Sequence, residues 1–166
     1  MGLDVTAYNN TKLTPAHVNL GTWCEDESHV QAFAYADFPR SFRGLADPDK
    51  VFGGFIGGRC YDVSDSKRFA FRAGSYTGYG RWRSRLREVF SVETPDDPFY
   101  ELVHFADNEG AIGPEAAVDL YGDFVGHQAA WLSECASDTY SHDAICYAEW
   151  LQACELASDN GFIDFH

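Results

Sequence analysis

Residues 71–83 read Phe-Arg-Ala-Gly-Ser-Tyr-Thr-Gly-Tyr-Gly-Arg-Trp-Arg and hold three Gly, three Arg, two Tyr and one Trp. Glycines let a backbone come close to a ligand and present its N–H groups. Arginine suits phosphate, and aromatic rings suit bases. A strand–loop–helix reading adds a helix N-terminus, where an anion is favoured. Arg72, Gly74, Ser75, Tyr76, Tyr79 and Trp82 are therefore candidate ligand-binding residues. The segment lacks the spacing and the Lys of a phosphate-cradling loop. The same residue types also suit an aromatic corner leading into a helix, with its arginines paired to carboxylates elsewhere.

Asp107 and Glu109 stand two apart beside Gly110. Such a pair can hold a divalent cation or accept from a ligand hydroxyl, so both join the candidate ligand set. They can equally pair with Arg72 or Arg43, or simply form the turn before Pro114. His142 and Cys146 are four apart on an expected helix, within reach of a shared metal. No Cys-x-x-Cys pair supports them, so no metal or cofactor is assigned. His127, Cys135 and Cys154 read as incidental histidine and buried thiols. A nucleophilic thiol needs a basic neighbour, and the three C-terminal cysteines lie in an acidic region. No flanking pattern marks Ser41 or Ser75 as a nucleophile. The reading leans away from an enzyme, and no catalytic residue is assigned.

Charge is divided along the chain. All 12 Lys and Arg lie at or before Arg87, against 9 acids in residues 1–87, a net +3. Residues 88–166 carry 17 acids and no Lys or Arg, a net −17. That half repels itself, nucleic acid and anionic membranes, so neither a direct nucleic-acid nor a membrane partner is expected. It attracts a basic protein surface, including one that normally holds nucleic acid. It can also serve only as a solvated surface that keeps the chain in solution. Glu115, Asp119 and Asp123 recur every four residues and are the candidate partner-binding carboxylates.

Positioning these groups requires strands first and helices after. Residues 3–8, 29–35, 55–63 and 68–76 alternate as strands, the last two joined by the polar turn Ser64-Asp65-Ser66-Lys67 and expected to form a hairpin. From residue 81 the period becomes helical. Trp82, Leu86, Val89 and Phe90 share a face, and a short helix follows with Asp97 as its cap and Pro98 in its first turn. A long helix opens at Pro114 with Ala117, Leu120, Tyr121, Phe124, Gln128 and Trp131 on one stripe. Its Gly122 and Gly126 point to close approach of a neighbour or to a weak helix. A last helix runs over 141–157 and stops at Asn160-Gly161.

The expected fold is one α+β domain over residues 1–166. Residues 1–80 form a strand-rich basic half with an antiparallel sheet of about four strands. Residues 81–166 form an acidic half whose helices pack on one face of that sheet. No export signal precedes the first strand, and five cysteines with irregular spacing read as reduced thiols in a cytoplasm.

Four stretches resemble small, uncharacterised proteins encoded by tailed phages and prophages. They are the opening Met-Gly-Leu-Asp-Val-Thr-Ala-Tyr, the Phe-Arg-Ala-Gly-Ser-Tyr-x-Gly-Tyr-x-x-Trp segment over 71–82, residues 101–113, and the ending Leu-Ala-Ser-Asp-Asn-Gly-Phe-Ile-Asp-Phe-His. Residues 9–65 match less. The resemblance carries over no activity and no catalytic residue. It implies a viral accessory protein acting in the cytoplasm of a bacterial host. Joined to the charge division, it leads to the expectation of a counter-defence protein. Its acidic half would occupy a basic nucleic-acid-binding surface of a host defence complex, of anti-CRISPR or anti-nuclease type. The alternative is a small-ligand protein, a nucleotide-signal sponge or a nucleotide-acting enzyme, built on residues 71–83.

Overall fold

Alternation over residues 2–8 sends Leu3, Val5 and Ala7 to one face, where all three are fully buried. In the computed structural model, which describes residues 2–17, 28–32, 53, 59–105, 110–136 and 142–166, this strand is the second of four. β1 (Gly2–Tyr8), β5 (Arg68–Ser75), β6 (Gly110–Ile112) and β7 (Phe162–Phe165) form an antiparallel sheet in the order β5-β1-β7-β6. Its registers align Phe71, Val5 and Phe165 in one row and Phe69, Ala7, Ile163 and Ile112 in the next. That face packs on helices. The chain is α+β, as its pattern predicts.

A second sheet, order β2-β4-β3, holds β2 (Lys12–His17), β3 (His29–Ala32) and β4 (Arg59–Asp62). β2 contains Pro15, which an edge strand tolerates, and its register slips between Leu13 and His17. Tyr61 of β4 meets Phe162 at 5.4 Å, so the small sheet covers part of the large sheet's other face. The expected hairpin does not form. The strands flanking residues 64–67 part, β4 pairing with β2 and β3 while β5 pairs with β1. The large sheet also takes two strands from the half expected to be only helical.

Four helices complete the described structure: α1 (Tyr76–Phe90), α2 (Tyr100–His104), α3 (Pro114–Glu134) and α4 (His142–Ala157). α1 starts before its glycines rather than after Gly80. Ser75 is extended and its hydroxyl accepts from the Gly78 N–H at 3.0 Å, so the cap sets the start. Asp97 does not cap α2. Its carboxylate closes a turn, accepting from the N–H groups of Glu93 and Thr94, which holds it below the usual carboxylate range. The N–H of Phe99, the residue before α2, goes instead to Asp123 of α3 at 2.7 Å.

The core between helices and sheet is aromatic. Trp82 stacks on Trp150 at 6.2 Å and meets Trp131 edge-on at 6.4 Å, while Tyr147 stacks on Trp131 at 5.6 Å. The indoles of Trp82 and Trp131 both donate to the carbonyl of Asp143, in the first turn of α4. Arg85 reaches the carboxylate of the same residue at 2.6 Å. One residue thus ties α1, α3 and α4 together.

The cysteines differ from the all-reduced expectation. Cys60 is disulfide-bonded, whereas Cys135, Cys146 and Cys154 are free and buried. Burial pushes the thiols of Cys146 and Cys154 upward, which makes them poor nucleophiles.

Candidate functional site

The segment 71–83 divides between interior and surface. Tyr79 and Trp82 are only 2% and 1% exposed and stack at 6.2 Å within the core. The Tyr79 hydroxyl donates to the carbonyl of Phe105. Ser75 is spent on the α1 cap. Gly74 has φ +118°, a backbone that glycine alone adopts readily. It sits at the bulge where β1 and β5 change register, with a Cβ position 3.2 Å from His142 Nε2. Arg72 and Tyr76 are exposed, Arg72 lying over Gly2. Of the candidate ligand-binding residues in the segment, Arg72, Ser75 and Tyr76 are exposed and Gly74 is half-buried. Asp107 and Glu109 lie outside the described residues.

Arg83, Arg85 and Arg87 of α1 turn to the protein itself, while Arg81 is exposed. Arg83 donates to the Val103 carbonyl at 2.6 Å and lies over the Tyr79 ring. Arg85 joins Asp143 and the Glu134 carbonyl, and Arg87 donates to Val92. These bonds steady loop and helix ends, and only one of them consumes a carboxylate.

The carboxylates collect where α2 and α3 meet the turn after α1. Asp96, Asp97, Glu101, Asp119 and Asp123, with Pro95, line an open cleft of ≈ 300 Å³. Glu101 is 3% exposed and Asp119 is exposed. Asp123 is half-buried, and desolvation raises its pKa, with Glu101 and Asp119 adding repulsion. The Phe99 N–H and His127 oppose that shift. Among the described residues, no Lys or Arg forms an ion pair with Asp96, Asp97, Asp119 or Asp123. Glu115 lies one helical turn before Asp119 and is also exposed, its N–H donating to the Gly53 carbonyl. Of the three partner-binding candidates, then, Glu115 and Asp119 face solvent while Asp123 also holds the α2 terminus.

Crowded carboxylates invite a cation, yet among the described residues no three His, Cys, Asp or Glu are grouped to hold a metal ion. His142 is exposed while Cys146 is fully buried on the same helix.

The large sheet holds a polar row that the sequence reading did not single out. Thr6 and Asp164 are cross-strand partners, and the Thr6 hydroxyl bonds the His166 imidazole at 3.0 Å. Part of Asp164 still reaches solvent, but its setting between strands pushes the carboxyl up to about 8, through desolvation. The signal was the alternation Phe162-Ile163-Asp164-Phe165, which puts a carboxylate on the face beside the small sheet.

No family model, curated protein or solved structure matches the chain. Among the described residues, no helix is long and apolar enough to cross a membrane.

Proposed function

We propose that this protein binds a basic, nucleic-acid-binding surface of another protein through its acidic helical half. The observation that carries the reading is the α2–α3 cleft, where Asp96, Asp97, Asp119 and Asp123 stand together and, among the described residues, form no ion pair with Lys or Arg. Such a surface pays its own repulsion in the free state, and a basic partner relieves it. It also repels nucleic acid itself, so the partner is a protein. In the phage setting that the resemblance implies, the partner is a subunit of a host defence complex in the bacterial cytoplasm. The protein then serves counter-defence, in the manner of an anti-CRISPR or anti-nuclease protein.

The test is affinity purification from bacterial lysate at low salt, with mass spectrometry of co-eluting proteins and of small molecules released by heat. A nucleic-acid-binding protein that leaves with added salt supports the reading, because screening weakens exposed charge pairs. A released nucleotide without a protein overturns it in favour of ligand binding at Arg72, Gly74, Ser75 and Tyr76.

A further inference from the structure

The outer face of α3 carries a seam. Val118, Val125 and Leu132 are 51%, 54% and 50% exposed and lie in one line on a helix that buries Leu120, Phe124 and Trp131 elsewhere. With Gly122 and Ala129 they follow a four-three-four-three spacing. At 100° per residue the five fall within an arc of about 80°. That is the spacing by which one helix accepts another, side chains entering the gaps between neighbours. Gly122 and Gly126 have no described atom within 4 Å of their Cβ positions, so the seam has a low edge on its acidic side that a second backbone can approach. The close neighbour these glycines suggest is not among the described residues of this chain.

Charge selects the occupant. Glu115, Asp119, Asp123 and Glu134 all project to one side of the seam, within about 100° of arc. The acidic cleft adjoins that side through Asp119 and Asp123. The other side holds the uncharged Tyr121 and Gln128. A second copy docked antiparallel about a two-fold axis would bring both acidic flanks to the same side. Docked parallel, it would gain no opposite charge. A basic helix satisfies both the seam and its flank.

We infer that the α3 seam docks an amphipathic helix of the partner, with aliphatic residues along its centre and Lys or Arg along one edge. This rests on the proposed binding of a basic partner and names the element that would be gripped. Helix-in-groove recognition reads such anchors at helical spacing.

The experiment uses the full chain and three probes: a synthetic helix of about three heptads with a Leu seam and Lys/Arg flanks, the same peptide with Glu at the flanks, and polylysine. Binding is read by fluorescence anisotropy, and self-association by sedimentation. The inference predicts that the basic helix binds, that the Glu helix does not, and that Val125→Asp weakens the basic helix by about tenfold or more. Val125 is exposed, so the substitution leaves the fold intact, as circular dichroism will show. Polylysine and the basic helix binding equally, both indifferent to Val125→Asp, would overturn the seam while sparing the acidic-surface reading. Failure of both basic probes would count against both. A dimer that Val125→Asp dissociates would overturn the inference in favour of a second copy.

Discussion

Replacing Trp82 by alanine removes the indole on which α1, α3 and α4 converge. Trp82 is 1% exposed, stacked on Tyr79 and Trp150, edge-on to Trp131, and hydrogen-bonded to the Asp143 carbonyl. Truncating a buried aromatic of this size costs about 3–5 kcal/mol, with the spread set by how far the cavity collapses. Each favourable ring pair adds roughly 0.5–1.5 kcal/mol beyond the area buried. The Asp143 carbonyl keeps Trp131 as a donor, so no orphaned acceptor adds to the loss. The expected total is about 4 kcal/mol or more, a large fraction of the ~5–15 kcal/mol that holds a domain together. Urea unfolding followed by far-ultraviolet circular dichroism measures it. Tyr76, 40% exposed and only six residues away, is the internal control, and Tyr76→Ala should shift stability by less than about 0.5 kcal/mol. A loss below about 1 kcal/mol for Trp82→Ala would refute the packing argument and return the ring to the ligand-facing role its sequence neighbourhood suggests.

Three further outcomes follow from the fold. Asp164 stands at about 8 when folded against 3.8 ordinarily, so the folded chain holds a proton that the unfolded chain releases between those values. Its contribution is full below pH 4 and is lost as pH rises through 8. The difference in stability between the wild type and Asp164→Asn should therefore slope across that window, and a flat difference would contradict the burial argument. Gly74→Ala, forced to φ +118° and close to His142, should cost about 1–3 kcal/mol by the same urea assay, and a neutral result would contradict the bulge geometry. Alkylation in denaturant without reductant, read by peptide mass spectrometry, should label Cys135, Cys146 and Cys154 and leave Cys60 unlabelled until reductant is added. Label on Cys60 at the outset would restore the all-reduced reading.

The long helices were legible because their apolar positions repeat over many turns. α3 begins at its Pro and buries the predicted Ala117, Leu120, Phe124 and Trp131. The sheet was legible only in part. β1 and β5 alternate clearly, but β6 and β7 hold three and four residues, too few for a period to stand out. Residues 64–67 mark a turn, yet a turn does not say which strands pair, and β4 and β5 find distant partners. The start of α1 was misplaced because two glycines weigh against helix, while one capping hydroxyl outweighs them. The residues of 71–83 were conspicuous, but whether an aromatic faces in or out depends on Trp131 and Trp150, far along the chain. Glu115, Asp119 and Asp123 were visible by their spacing. That Asp123 also holds the Phe99 N–H was not, because that bond joins two helices.

The most direct measurement is the salt dependence of affinity for the captured partner, with wild type and with Glu115→Gln, Asp119→Asn and Asp123→Asn combined. The proposal predicts tight binding that falls steeply with salt for wild type, and weak binding with a shallow slope for the neutralised chain. Equal affinities and equal slopes would contradict an acidic docking surface.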